Sequence, residues 1–595
     1  MNDERFKNLK REDFALAQSG VEIHDEKLGT KSLTYFQDAM VRFRKNKASV
    51  IGTYVILVVL IYAIIAPFLS PFTVSDTDGN YSRVRPKIKA FERSGFWDGS
   101  RKQLMNNRYF YYTLGIGIAA EDKEGKGLTD PELGYKSPFT PVNVAKKLTA
   151  AELAEEADSG SVDGEVLAEA KKEAEKEAKA SSASQETKAS EKKESDAKRA
   201  SQNTTGFSFN WNKPKSGDKK KAKPVVKKEA PNQYYSTRID SYYMVGFRYV
   251  NVSQEEYDKI RAWEQEHNTQ VIYPQVNNSV KFFNADSKND ANYWYLHDRR
   301  GNPVDEDGQP LSVEELEQGK LVPTYLKNAQ GEVQFFRPRS RSMKEIRVLY
   351  YNYYLYKNGH GPEHIIGADG VGYDIWVRMA SGVRLSILLA IFVSVINFVL
   401  GALYGALEGY YGGWVDLLLE RISDILSGIP FIVVTTLFQL HLVQKGKVTV
   451  FTGLLFAFCL TGWIGTAYRV RTQFYRFKKE EYVLAARTMG ARDTRLMFKH
   501  IFPNAIGTII TSAALTIPGV IMSESSLSYL GIVNFNSSTM TSLGTILANG
   551  KLYMVTDPHI LFWPSLVISL MMIAFNLFGN GLRDAFNPSL RGADE

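Results

Sequence analysis

Apolar and polar positions segregate along this chain in whole blocks. Six nearly uncharged apolar runs, at 48–68, 385–407, 425–443, 448–468, 506–523 (continuing past Glu524) and 560–582, have the length a helix needs to cross a hydrocarbon core of ~30 Å. They predict an α-helical integral membrane protein with six transmembrane helices. Arg42, Arg44, Lys45 and Lys47 precede the first run, Arg583 and Arg591 follow the last, and the short 444–447 connection carries two lysines. By the positive-inside rule both termini and the strongly basic 478–504 loop face the cytoplasm, so residues 70–383 lie outside as one long loop, a length that translocates largely regardless of charge. The first run begins too far in, is too long and lacks a small-residue cleavage site for a signal peptide, so it is expected to remain as an anchor.

The outer loop has three textures. Residues 72–144 are mixed and suit a small folded lobe. Residues 145–230 are rich in Ala, Glu, Lys and Ser, too polar to build a core. Within them 165–179 has helical composition with pairs such as Glu175 and Lys179, and 213–228 is a polybasic linker with Pro214 and Pro224. Residues 232–358 change again: YYSTRIDSYYMVGFRYVNV, TQVIYPQV, VKFFN, ANYWYLHD and EVQFFRPRS read as short strands of an α+β domain, with a helix over 253–265 capped by Ser253.

The totals add exclusions. The net charge of +8 over 595 residues would suit nucleic acid or anionic lipid, but membrane topology accounts for much of the basic excess, so membrane lipid is the expected contact and nucleic acid is not. A single cysteine, Cys459, permits no internal disulfide, and eight scattered histidines lack ligand spacing, so no metal site is assigned. No G-x-x-x-x-G-K-[ST] phosphate loop occurs, so the chain is not expected to hold ATP in that way, and no catalytic arrangement of side chains is evident.

The 478–504 loop, KKEEYVLAARTMGARDTRLMFKHIFPN, carries the most specific pattern. A helix over 482–489 ends at Gly490 in the left-handed conformation, Asp493 caps a second helix, and Pro503 stops it. Met489, Leu496, Met497 and Phe498 offer apolar surface, while Arg487, Arg492, Arg495 and Lys499 add positive charge, as in a knob that docks on another protein. Tyr482, Ala485, Ala486, Gly490, His500 and Pro503 complete the candidate coupling site.

In spacing and position, Ala485, Ala486, Gly490 and Pro503 resemble the cytoplasmic EAA loop of ABC importer permeases. Leu484, His500 and Phe502 depart from the general consensus, and EYVLAARTMGA with HIFPN is similar to the peptide and nickel branch. The likeness resumes at HIIGADGVGYDIWVRMASGVRLSI, where Gly367, Asp369, Gly372, Asp374, Arg378, Gly382, Arg384 and Ser386 fall as in oligopeptide and dipeptide permeases, with Ala368 and Tyr373 in place of a usual Thr and Arg. It continues through Gly409 to Asp416, Arg421, Asp424, Pro430, Glu524, Leu527, Ser528, Leu530 and Gly531, and ends at GNGLRDAFNPSLRG; Leu543 and Asn580 stand where Trp and Asp are usual.

This resemblance implies the type I importer permease fold in the bacterial cell membrane and import of oligopeptides or dipeptides. It also implies a homologous permease as heterodimer partner, two ATPase subunits that use ATP and Mg, and an extracellular substrate-binding lipoprotein. Nickel or another small solute is the alternative cargo. A membrane-anchored receptor or adhesion protein, the competing class, leaves six spans and a docking loop unexplained.

Three readings stay open. The approach motif Gly367, Asp369, Gly372, Asp374 and Arg384 is either architecture or substrate contact. Glu524, the one acid near the end of its apolar run, lines a translocation path opened by Pro518 and Gly519, or it makes a structural pair with Arg or backbone. Residues 232–358, held off the membrane by the charged 145–230 arm, are a docking or gating platform for the binding protein, or a spacer or wall-contact domain with no part in transport.

Overall fold

The computed structural model describes residues 35–91, 94, 96–121, 146–148, 172, 234–280, 290–299, 301–311, 315, 320–535, 537 and 539–586. Residues 1–34, the 165–179 helix apart from Lys172, the 213–228 linker, nearly all of VKFFN, and Arg591 with the end of the tail lie outside them.

Among the described residues four helices are long and apolar enough to cross a membrane: Lys47–Leu69, Ile375–Tyr411, Val450–Phe477 and His559–Phe586. Two bent pairs raise the number to six if each pair is one span: Gly413–Ser427 with Phe431–Val443, bent by 73°, and Asp493–Gly507 with Ile509–Tyr529, bent by 53°. The run expected as one helix over 425–443 is thus broken. Its first helix stops at Ser427, and the next starts at Phe431 behind Pro430, which disfavours helix at the residue before it. The 506–523 run carries its 53° bend near Thr508 and a second, local interruption at Leu515, between Phe502–Ala514 and Thr516–Tyr529. Pro518 lacks the N–H that would bond to the Ala514 carbonyl, which accounts for the interruption at Leu515, just ahead of the expected Pro518 and Gly519, but not for the bend near Thr508. The fourth run extends beyond 468 to Phe477, with a turn at Gly462 and Trp463.

Ile375–Tyr411, with 37 residues and therefore about 55 Å long, exceeds the hydrocarbon core and protrudes from it. It packs along Ile464–Phe477 through Gly401, Gly405 and Gly409, spaced by four so that they share one face. A Cβ at Gly405 would lie 2.1 Å from the Ala467 carbonyl oxygen, so only hydrogen permits this backbone approach. A short helix, Tyr35–Lys45, precedes the first span and lays Ala39 and Phe43 on Phe578, Leu582 and Ala585 at the end of the last one.

Among its described residues, the expected 72–144 lobe and 232–358 domain share one core and are not separate units. Strands β1 (Ser100–Asn106), β2 (Lys146–Leu148) and β3 (Tyr234–Asp240) make an antiparallel sheet in the order β1-β3-β2. The second sheet has β7 (Met343–Leu349) paired antiparallel with β4 (Phe247–Ser253), β5 (Ile272–Tyr273) and β6 (Phe336–Pro338). The Asn107–Glu121 helix from the expected 72–144 lobe packs Tyr111, Ile116 and Ala119 into the same core as Phe247, Tyr273, Trp294 and Tyr295. Lys146–Leu148, at the start of the polar 145–230 stretch, also belongs to this unit. The Ser253 hydroxyl accepts from Glu256 N at 3.1 Å and caps Gln254–His267. ANYWYLHD forms two isolated bridges, Tyr295 with Pro323 and His297 with Pro303, because proline cannot extend a ladder.

Candidate functional site

The 478–504 loop folds as a helix, Glu481–Thr488, a turn, a helical start at Asp493–Arg495, and a π-helical turn, Leu496–Ile501, that runs into Phe502–Ala514. Gly490 has φ +84° with open space around it, so its requirement is conformational and not steric. Two expectations change. Asp493 is the first helical residue and not the cap: Arg492 takes the cap position, and the Asp493 carboxylate accepts from the Tyr410 hydroxyl at 2.5 Å. Pro503 does not stop the second helix: the π-helical turn runs on into Phe502–Ala514, in whose first turn Pro503 sits.

The loop has two faces. Val483, Ala486, Leu496, Met497 and Ile501 are buried against Ala402, Ala406, Val470 and Phe474 of the permease body. Leu496 and Met497 therefore hold the loop down and do not offer outward apolar surface. The outward face carries Tyr482, Leu484, Ala485, Arg487, Met489, Arg492, Arg495 and Phe498, with Met489 83% exposed. His500 is half-buried, and its carbonyl accepts from Asn504, which also donates to the Tyr482 hydroxyl at 3.0 Å.

Beneath the loop lies a brace that sequence reasoning missed. Arg471 bonds Asp416 at 2.7 Å and Glu420 at 2.9 Å, Tyr475 donates to Asp416, and Lys478 Nζ donates to the Gly409 and Tyr410 carbonyls at 3.1 Å. Lys478 thus satisfies carbonyls at the end of the Ile375–Tyr411 helix. Burial, followed by the neighbouring Arg487, pulls the Lys478 ammonium below its ordinary pKa. Asp416 stood in the GYYGGWVD motif, but nothing local pointed to a partner 55 residues away.

The approach motif lies at the other end of that helix. Asp374 caps it by accepting from Val377 N at 2.7 Å and pairs with His364 Nδ1 at 2.8 Å. One Asp369 oxygen accepts from the backbone N–H groups of Val371, Gly372 and Tyr373. Gly367 and Gly372 have φ +90° and +95°, and a Cβ on Gly372 would lie 2.0 Å from the Asp78 carbonyl oxygen. Arg384 donates to the Ala63 carbonyl at 2.9 Å and ties the first span to the second. These bonds are internal to the chain, which favours the architectural reading.

Glu524 is 1% exposed. Its carboxylate accepts from Ser386 at 3.1 Å and Ser528 at 2.9 Å, and no arginine pairs with it among the described residues. Pro518 is buried beside it on the same helix, while Gly519 faces open space. The three predicted groups do not converge on one centre: the loop lies at one end of Ile375–Tyr411, the approach motif at the other, and Glu524 against Ser386 between them.

Two family descriptions match the chain: "N-terminal TM domain of oligopeptide transport permease C" over residues 34–86, and "Binding-protein-dependent transport system inner membrane component" over 397–592. The oligopeptide transport system permease protein OppC of Bacillus subtilis is 39% identical over 38% of this chain and 73% of its own length. The dipeptide transport system permease protein DppC of the same organism is 38% identical over 38% and 70%. The glutathione transport system permease protein GsiD of Pectobacterium atrosepticum is 33% identical over 41% and 78%. A solved MetNI methionine ABC transporter chain aligns at 16% identity with a TM-score of 0.29, covering 35% of this chain and 96% of that one, a likeness too slight to argue from. On the sequence matches, this multi-pass membrane chain belongs to the family of binding-protein-dependent transport system inner membrane components, among its oligopeptide and dipeptide permeases.

Proposed function

We propose that this chain is the pore-forming permease subunit of an ATP-driven importer of oligopeptides or dipeptides, driven through the 478–504 loop. The observation that carries the reading is the division of that loop: one face is locked to the permease body, and the other leaves Leu484, Met489 and Phe498 exposed among arginines. Exposed apolar side chains of this size, rimmed by charge, suit a protein partner. The partners of this reading are a homologous permease as heterodimer, two ATPases that bind ATP and Mg, and an extracellular substrate-binding lipoprotein. Both termini face the cytoplasm, each bent helix pair forms one of six spans, and residues 70–383 lie outside.

In mechanism, ATP closes the ATPases, the loop moves with them, and the spans turn the pathway between inward and outward openings. Gly490→Pro and Arg487→Glu are expected to leave the permease assembled and to uncouple ATP hydrolysis from uptake in reconstituted vesicles. Normal uptake in both variants overturns the coupling assignment. The insertion serves as a platform beside the mouth, a reading supported by the Arg83 guanidinium 5.5 Å from the Tyr553 ring and by Trp97 against Trp563.

A further inference from the structure

Where the insertion joins the membrane, the residues after the first span and before the second enclose a cleft of about 390 Å³. Phe72, Asp76 and Asp78 come from the first connection, and Tyr350 and Tyr354 from the Tyr350–Asn358 helix of the insertion; Tyr81 forms its floor. Tyr81 packs on Tyr350 at 5.6 Å and edge-on to Tyr354 at 5.4 Å, which builds a continuous aromatic wall. Tyr81 is 1% exposed, and its hydroxyl has no hydrogen-bond partner among the described residues.

The two carboxylates receive only neutral donors. Asp78 accepts from Asn80 N at 2.9 Å, from Asn80 Nδ2 at 3.1 Å and from the Tyr350 hydroxyl at 2.7 Å; Asp76 accepts from Thr73 N at 2.7 Å. No ion pair to either is found among the described residues, and the one lysine of the lining, Lys357, is exposed on the rim. Carboxylates facing aromatic rings recognise organic cations: the rings attract the charge, and the carboxylates neutralise it.

We propose that this cleft binds a cationic group of a short peptide, an α-ammonium, lysine or guanidinium, between Asp76, Asp78 and the Tyr81, Tyr350 and Tyr354 wall. The site rests on the peptide-import reading and adds a charge preference at the mouth.

The test is calorimetric titration of the purified full chain with trilysine, trialanine and triglutamate, beside uptake by the complete transporter in vesicles. Trilysine is expected to bind saturably and more tightly than trialanine, with triglutamate undetected. Asp76→Asn with Asp78→Asn should weaken trilysine about tenfold; asparagine keeps the capping role of Asp78, so the fold is preserved. Lys357→Glu should tighten binding several-fold, a gain that misfolding cannot produce. Absence of saturable trilysine binding, or equal affinity in the double variant, overturns the site. If uptake of neutral peptides persists in that case, the cleft alone is refuted. If no peptide is taken up under any condition, the import reading fails, whatever the titration gives.

Discussion

Met489 and Leu496 flank the same hinge and are of similar size, yet truncating them should do opposite things. Leu496 is fully buried with Val470, Phe474 and Ile501, so Leu496→Ala leaves a cavity and should cost about 2–5 kcal/mol, read as a lowered unfolding temperature of the solubilised permease. Met489, 83% exposed, contributes little to folding, and Met489→Ala should shift stability by no more than about 0.5 kcal/mol. If its side chain enters a pocket of an ATPase, truncation removes about 1–2 kcal/mol of binding, a fivefold to thirtyfold weakening. The assay is titration of the ATPase subunits onto permease held in detergent, with peptide-stimulated ATP hydrolysis as a second readout. Wild-type ATPase affinity in Met489→Ala refutes the assignment of the outward face as the docking surface. A Leu496→Ala permease as stable as wild type refutes the division into two faces.

Glycine substitutions should separate conformational from steric demand. Gly490→Ala meets open space and pays only for φ +84°, about 1 kcal/mol, so the permease should assemble with a slightly lowered unfolding temperature. Gly372→Ala combines φ +95° with a contact 2.0 Å from a backbone oxygen, and limited proteolysis should show the insertion unseated from the membrane helices. The insertion should also lose stability in mild acid. His297 is buried with Nδ1 2.7 Å from the Asp298 carbonyl oxygen, and burial lowers its pKa below the ordinary 6.5. The unfolded chain therefore takes up a proton that the folded one resists, and stability falls as pH drops through about 6.5. His297→Gln should flatten that slope in urea unfolding monitored between pH 7.5 and 5.

Membrane helices were legible because the pattern of 20-residue apolar runs depends on the solvent and not on tertiary detail. Their breaks were less so: Pro430 and Pro518 are visible, but whether a proline ends, kinks or begins a helix depends on what its missing N–H faces. The turn of the 478–504 loop was readable at Gly490 and misread at Asp493, whose carboxylate is taken by Tyr410, 83 residues earlier in the chain. Outward and inward apolar residues of the loop looked alike because both suit helix surfaces. In the insertion, β7 escaped notice since Lys344, Glu345 and Arg347 disguise a central strand. Arg347 is fully buried, donating to the Ala291 and Pro274 carbonyls and lying 3.8 Å from the Phe247 ring. Nor could composition reveal that residues on either side of the 145–230 stretch share one core.

The position of Ile375–Tyr411 joins these parts into a mechanism. At its C-terminal end Tyr410 bonds Asp493 of the loop, and Lys478 closes its last carbonyls. At its N-terminal end Asp374 caps it and pairs with His364. Between them the glycine face at 401, 405 and 409 binds it to Ile464–Phe477 without room for slippage. A helix of about 55 Å so fixed transmits displacement as a rod. The His559–Phe586 helix is held differently: Phe43 packs on Phe578 at one end, and the Val84 carbonyl meets His559 Nε2 at 3.1 Å at the other, so segments flanking the first span grip it along its length. If the 478–504 loop couples as proposed, a push on its outward face should reach the insertion through Ile375–Tyr411, with the first and last helices moving together as the body against which that rod works.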